Sequence, residues 1–394
     1  MAASSDPILI TVTGRDHPGI TARLTGILGD IGATLLDIEQ VVVHGSLNLA
    51  LLVLFPETRS GLKELLFAAK ELGVALDFKP VDDGAPARAL GSRYVVTAIG
   101  RELGAKELHD VAATLAAHDA NIEKIARLSV ERLSSVEIHV LLRREEAADA
   151  LKQALLALAM QNSFDLALQR EGLFRRSKRL VVMDMDSTLI RIEVIDELAR
   201  AKGVVEQVAK ITERAMQGEM DYDESLRQRL SLLRGLDVSV LRKLAAELPI
   251  TEGAETLIRV LKRLGYRTAV ISGGFSIAAE ALKVRLGIDY AYSNALEVEG
   301  GKLTGRVTGP IVNAQRKAEL LETIAQAEGV LLDQTIAVGD GANDLLMLQR
   351  AGLGVAFRAK PKLREAADTS LSASGLDAIL FLLGLTEREL LEVA

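Results

Sequence analysis

Asp184 and Asp186 stand two residues apart in Asp184-Met185-Asp186-Ser187-Thr188, directly after the apolar run Leu180-Val181-Val182-Met183. Carboxylates at i and i+2 in a loop that leaves a strand can both face one pocket. There one carboxylate can attack phosphorus, while the other protonates a leaving alkoxide and then activates water. Two easier steps replace one hard one. A turn, or a fragment of a Ca²⁺ loop, carries the same spacing.

Three more polar clusters lie downstream. Ser272-Gly273-Gly274-Phe275 ends the run Thr268 to Ile271 and precedes a helix. A hydroxyl and backbone N–H groups there suit a phosphoryl group, although paired glycines are common in strand-to-helix turns. Lys317 lies in Asn313-Ala314-Gln315-Arg316-Lys317, at a helix start where a lone lysine is ordinarily solvated. Arg316, beside it, faces another direction. Gly339-Asp340-Gly341-Ala342-Asn343-Asp344 follows the apolar Ile336 to Val338. Mg²⁺ prefers a few carboxylates, keeps waters and shares phosphate oxygens. A tight turn explains the glycines of this cluster but not its two carboxylates and amide.

Composition narrows the chemistry. The histidines are His17, His44, His109, His118 and His139, and there is no Cys. Everything beyond residue 139 must therefore work with carboxylates, hydroxyls, Lys, Arg or a hard metal. Absence of Cys also fits a reducing, cytoplasmic setting. A net charge of -7 argues against nucleic acid as a partner. Met1 to Pro7 lacks a basic stretch leading into an apolar core, and no apolar run approaches the ~20 residues of a membrane span, so no membrane partner is expected.

The elements that must position these residues fall into more than one domain, because single cores stop growing near ~250 to 300 residues and this chain has 394. With 49% hydrophobic and 3% aromatic residues, its interiors are built from Ala, Val, Leu and Ile. Residues 8–14 read as a strand, 20–31 as an amphipathic helix, 34–43 and 46–55 as strands and 62–73 as a helix. Asp82-Asp83-Gly84-Ala85-Pro86 reads as a linker. The pattern recurs: strand 94–100, a helix to about 118, strands near 121–130 and 134–142, and a helix over 145–160. Gly14-Arg15-Asp16 aligns with Gly100-Arg101-Glu102 at a spacing of 86, and Ala33 to Ile38 with Ala120 to Ile125 at 87, which indicates a duplicated domain. From residue 179, apolar strands that end in polar clusters alternate with helices, as in a parallel α/β sheet whose ligands bind beyond the strand ends. A charged helical insertion, roughly 195–262, is placed to cap that site.

Both repeats resemble the ACT domain, a ferredoxin-like α+β module that commonly binds amino acids between paired copies. Asp16-His17-Pro18-Gly19-Ile20 carries the likeness in the first; the second has Leu103-Gly104-Ala105 instead of the Pro-Gly step. Asp16, Gly19 and Gly104 are the implied regulatory positions. The four clusters, in order, resemble the haloacid dehalogenase superfamily. The expected domains are thus 1–85 and 92–170, both ACT-like, and 178–394, a Rossmann-like parallel-sheet α/β phosphatase with a helical cap. The resemblance makes Asp184 the nucleophile and Asp186 the general acid and base, and has Asp184, Asp340 and the Asp186 carbonyl hold Mg²⁺. Ser272, the Gly273 amide and Lys317 would grip the phosphoryl oxygens. Asn343 would add a hydrogen bond to them, and Asp344 would support the metal directly or through water.

Substrate choice must come from outside these motifs. Glu193, in Arg191-Ile192-Glu193-Val194-Ile195-Asp196-Glu197, lies close behind the first aspartates, where a carboxylate can pair with an ammonium group; a glutamate on a helix surface reads the same way. An arginine in the insertion can grip a carboxylate in bidentate fashion, and composition does not choose among Arg227, Arg229 and Arg234. The stretch Met216 to Arg229 resembles the cap of the phosphoserine phosphatases. That likeness assigns Glu193 to the amino group of O-phospho-L-serine, Arg229 to its carboxylate and Met216 to the pocket lining. Tyr222 stands where relatives often have Phe. The implied reaction releases L-serine and phosphate, the last step of serine biosynthesis. An amino-acid effector such as serine and a homodimer are implied by the ACT likeness. The competing readings are a related phosphatase acting on another small phosphomonoester and a non-enzymatic amino-acid sensor.

Overall fold

The computed structural model describes residues 7–56, 61–81 and 91–393. They form two compact units, divided between Leu90 and Gly91. The linker-like stretch Asp82 to Pro86 lies outside the described residues.

The first unit runs β1 (Ile8–Arg15), α1 (Ile20–Asp30), β2 (Thr34–Val43), β3 (Ser46–Leu54), α2 (Leu62–Leu72) and β4 (Val74–Pro80). Its antiparallel sheet has the order β2-β3-β1-β4. Alternation decides which face is covered: Ile8, Ile10 and Val12 of β1 and Leu47, Leu49, Leu51 and Val53 of β3 pack with Leu24 and Leu28 of α1 and Leu65 of α2. Strand β4 is not among the expected elements, although Val74-Ala75-Leu76-Asp77-Phe78 alternates as an edge strand should. Strand β2 is the other edge, and all ten of its residues are exposed.

The second unit begins with the same plan: β5 (Ser92–Gly100), α3 (Ala105–Ala117), β6 (Ala120–Arg127), β7 (Ser135–Leu142), α4 (Ala148–Gln161) and β8 (Phe164–Arg170). Strand β8 is likewise an addition to the expected pattern. It matters most, because it joins the repeat to the sheet of the phosphatase-like region. Next come β9 (Leu180–Met183), α5 (Val194–Lys202), α6 (Val205–Met216), α7 (Tyr222–Leu232), α8 (Val238–Ala246), α9 (Ala254–Arg263), β10 (Arg267–Phe275), α10 (Ser276–Leu286), β11 (Tyr290–Glu299) and β12 (Lys302–Thr308). The chain ends with α11 (Ala314–Ala327), β13 (Thr335–Gly339), α12 (Leu345–Arg350), β14 (Gly354–Phe357), α13 (Pro361–Ala366), β15 (Thr369–Leu371), α14 (Ile379–Leu382) and α15 (Glu387–Val393).

One sheet of eleven strands spans this unit in the order β12-β11-β10-β9-β13-β14-β15-β8-β5-β7-β6. Its centre, β10-β9-β13-β14-β15, is parallel. Strand β9 is buried throughout because both faces are covered: Leu180 and Val182 pack with Leu321, Ile324 and Met347, whereas Val181 and Met183 join the layer of Leu257, Ile258 and Leu261. From β9 the chain proceeds to β10 on one side and β13 on the other, which opens a crevice at the carboxyl ends of these strands.

The insertion is helical, as expected, but α9 serves as the crossover helix into β10, while α5 to α8 form the excursion. A hairpin not foreseen from sequence, β11–β12, clips onto the excursion through backbone bonds from Gly235 N to Leu303 O and from Val238 N to Gly301 O.

At the other end of the sheet, β15 pairs antiparallel with β8 at Thr369 and Ala167. Buried Asp165 accepts from the Ser372 and Ala373 amides, and Gln169 Nε2 donates to Leu382 O. Beside them Glu137, 1% exposed, pairs with the buried Arg175 guanidinium and with Arg176. Removing one partner of such a pair strands a buried charge. Glu137→Ala is expected to lower the unfolding free energy by about 3–5 kcal/mol in urea titrations. A loss below about 1 kcal/mol would mark the pair as an ordinary surface-type contact.

Candidate active site

The crevice is lined by strand ends. Asp184 follows β9, and its amide donates to Val338 O of β13 at 2.9 Å, which ties the two central strands where the carboxylates emerge. The backbone then turns sharply: Ser187 has φ +57. This turn brings Asp186 under α5, where its Oδ1 accepts from Val194 N at 2.9 Å and its Oδ2 from Ser272 Oγ at 3.4 Å. The same turn lets Ser187 Oγ donate to Glu193 at 2.8 Å.

Ser272 and Gly273 lie within an irregular end of β10, not in a loop beyond it; the register against β11 shifts between Ile271 and Phe275. Space explains Gly274. A Cβ there would sit 2.4 Å from Asp186 Oδ2 and 2.6 Å from Met185 Cε. At Gly273 a Cβ would meet Tyr222 Oη at 2.0 Å.

Lys317 is fully buried, unlike an ordinary lone helix lysine, whereas Arg316 is half exposed and pairs with Glu319. Its ammonium lies 2.7 Å from Asp344 Oδ1 and 2.8 Å from Asp184 Oδ1. Only the first contact has hydrogen-bond alignment, so Asp184 Oδ1 is buried without a donor. Burial works to lower the Lys317 pKa, but the pull of Asp184 and Asp344 prevails and holds it above the usual range. Asp340 accepts from Thr188 Oγ1 at 3.2 Å. Asp344 Oδ2 accepts from the Gly341 amide at 3.0 Å, and Asn343 sits half-buried between them.

Oxygens of Asp184, Asp340 and Asp344 lie within 4.8 Å of one another. One lysine does not offset this much buried negative charge. Desolvation first, then mutual repulsion, pushes Asp184 up to about 7 and Asp340 up to about 8. Asp186 is raised as well, by burial, by Glu193 and by Asp184. A donorless carboxylate oxygen within a repelling oxygen cluster fits a hard divalent cation.

Around this centre, Arg229 of α7 is half-buried and its Nε donates to Ser225 O, while Arg227 and Arg234 are exposed. Glu193 caps α5 at the surface of the crevice. Met216 ends α6 and is 64% exposed, with Lys360 Nζ 3.7 Å from its sulfur. It does not pack into the interior. Tyr222 is drawn into the same charge network, and burial pushes its phenol up to about 12.

Residue-by-residue comparison with known families agrees with this geometry. A haloacid dehalogenase-like hydrolase model matches residues 178–352, and two ACT-domain models match 6–79 and 92–169. A phosphoserine phosphatase of Streptomyces coelicolor is 45% identical over 388 residues, covering 97% of this chain and 93% of that one. The chain belongs to the phosphoserine phosphatase family. Among solved structures, a haloacid dehalogenase-family hydrolase of Salmonella enterica serovar Typhi is 31% identical at TM-score 0.65, covering 74% of this chain and 98% of its own. A phosphoserine phosphatase solved as a phospho-aspartyl intermediate analogue is 49% identical at TM-score 0.50, covering 52% of this chain and 98% of its own.

The two ACT modules differ at the loops that lead into their first helices. Gly19, before α1, has φ +101, while the amide of exposed Asp16 donates to Gly45 O. Gly104, before α3, is extended, and its N–H is taken by Glu107 Oε2 at 2.9 Å. Sequence reasoning assigns no role to Thr188 or Asn294. Thr188 belongs to the first cluster and could have been found there; Asn294 lies mid-strand, where Ser293-Asn294 carries no motif to flag it.

Carboxylates whose folded pKa lies above the ordinary value of about 4 stabilise the fold below that value and lose this contribution as pH rises through the folded pKa. For Asp184 and Asp340 the loss extends to about 7 and about 8. In chelator, the melting temperature should therefore fall between about pH 5 and about pH 8.5, and a divalent cation should restore it most at the alkaline end. Equal cation stabilisation across that range in thermal melts would contradict the fit.

Proposed function

We propose that this protein hydrolyses O-phospho-L-serine to L-serine and phosphate through an aspartyl-phosphate intermediate. The observation that carries this reading is the convergence of Asp184, Asp186 and the buried Lys317 ammonium at the carboxyl ends of the central strands. Asp184 Oδ1 attacks phosphorus as the bond to the serine oxygen breaks; Asp186, its pKa raised by burial and by Glu193, gives its proton to the departing serine oxygen and then takes one from the water that displaces phosphate from Asp184. Lys317, Ser272 and the Gly273 amide hold the phosphoryl oxygens, with Asn343 beside them. Asp184, Asp340 and the Asp186 carbonyl would hold Mg²⁺, which would supply positive charge to the transferring group. Both oxygens of Asp344 are engaged, by Lys317 and the Gly341 amide, which favours a supporting role.

Glu193 takes the substrate ammonium and Arg229 its carboxylate. Support comes from the half-buried placement of Arg229, which its two neighbouring arginines lack. Met216, exposed at its helix end, lines only the approach. The domains are taken as 1–85, 92–170 and 178–394, and an amino acid such as serine, bound by paired ACT domains of a homodimer, tunes activity. The exposed edge strand β2, with Leu35, Leu36, Ile38, Val41, Val42 and Val43 all exposed, supports pairing. No helix among the described residues is long and apolar enough to cross a membrane.

Phosphate release from O-phospho-L-serine with Mg²⁺ tests the reading. Asp184→Asn should lower kcat by about 10³-fold or more, and Arg229→Ala should raise KM by about 10- to 100-fold with less effect on kcat. Preference for another phosphomonoester, with Arg229→Ala neutral, would remove the substrate assignment and leave the hydrolase. Serine should shift activity by about 5- to 150-fold at saturation; identical rates with and without serine would remove it as the effector.

A further inference from the structure

Tyr222 and Asp223 are adjacent at the start of α7, in the helical excursion, yet each bonds to a different phosphoryl-holding element of the core. Tyr222 Oη donates to Gly273 O at 3.4 Å. Asp223 Oδ1 accepts from Asn313 Nδ2 at 3.1 Å. Asn313 is the cap of α11, the helix that carries Lys317, and its Oδ1 accepts from Arg316 N at 3.0 Å. On the core side these elements are already joined: Asn294, 1% exposed, donates from Nδ2 to Gly273 O at 2.7 Å and accepts at Oδ1 from Val312 N at 2.8 Å. Following the chain from Val312 to Asn313 and from Tyr222 to Asp223 closes a ring. Each amide orientation in it is fixed by a donor on one side and an acceptor on the other.

We propose that Tyr222 and Asp223 are positioning residues that latch the excursion onto the phosphoryl site, so that its closure sets the spacing between the Gly273 amide and Lys317. The proposal rests on the phosphatase reading. It deepens that reading by assigning two residues that touch neither the phosphorus nor the metal ligands. Tyr222 enters the ring only through its hydroxyl, which a Phe there would lack. At 3.4 Å this is the longest link, well beyond the ~2.8 Å of a strong O–H···O bond, so the Asp223 link carries more of the closure.

The full-length protein tests this. Amide hydrogen exchange in α7 is followed in the resting protein for wild type, Tyr222→Phe, Asp223→Ala and Asp223→Asn. On the same samples KM, kcat and the inhibition constant for inorganic phosphate are measured with O-phospho-L-serine and with 4-nitrophenyl phosphate. Asp223→Ala should speed exchange in α7 and raise both KM and the phosphate inhibition constant about tenfold, Tyr222→Phe less. Asp223→Asn, which keeps the acceptor, should behave like wild type. The double variant should cost about as much as Asp223→Ala alone, because a ring opens once. Unchanged exchange and phosphate inhibition in Asp223→Ala would overturn the proposal, as would equal damage from Asp223→Asn, which would point to charge in place of the bond. Inactivity towards O-phospho-L-serine alone would count against the substrate assignment, while exchange and phosphate inhibition would still judge the ring.

Discussion

Around the Lys317 ammonium, fully buried between Asp184 and Asp344, the active end of this molecule is organised. A buried cation is tolerated only beside anions, and buried anions only beside cations. The lysine therefore fixes where α11 must sit relative to β9 and β13. It is also a partial answer, because Asp340 and Asp186 leave the cluster with more negative than positive charge. Burial first, then that imbalance, raises the carboxyl pKa values, and the cluster fits a divalent cation.

Geometry downstream follows from this constraint. Carboxylates leave β9 and β13 at the one point where the chain departs to opposite sides of the sheet, and the Asp184 amide to Val338 bond keeps them there. Glycines at 273, 274 and 339 mark where side chains from neighbouring elements press against backbone, so a Cβ at any of them would collide with Tyr222, Asp186 or Asp344. The second ACT-like repeat shares the same sheet through β15 and β8, with Asp165 and Glu137 buried beside the junction.

Much of this is legible in the sequence. Strand ends followed by polar clusters mark Asp184, Ser272 and Asp340, since chemistry at a strand end needs an apolar run and then an abrupt polar change; Lys317, at a helix start, is legible only in company with the other three. The repeat is visible in paired Gly-Arg-acid triplets. Strand β4 is an edge and β8 lies inside the long sheet, yet both escape because seven-residue runs interrupted by Asp, Lys or Gln look like loops until their partners are known. The β11–β12 hairpin escapes for the same reason, and Asn294 because a single amide within a strand announces nothing.

By itself, the sequence determined the types of group available: no thiol, no imidazole after residue 139, and four clusters of carboxylate, hydroxyl, lysine and amide in an order suited to phosphoryl transfer. It also determined the period-2 and helical patterns that place each cluster at an element's end. Tertiary structure decided which member of each cluster is buried. Lys317 is buried and Arg316 is not; Arg229 is half-buried and Arg227 and Arg234 are not; Met216 points outward. The reason is physical. Periodicity fixes a side chain's direction about its own element, but burial and charge pairing depend on what other elements bring against it.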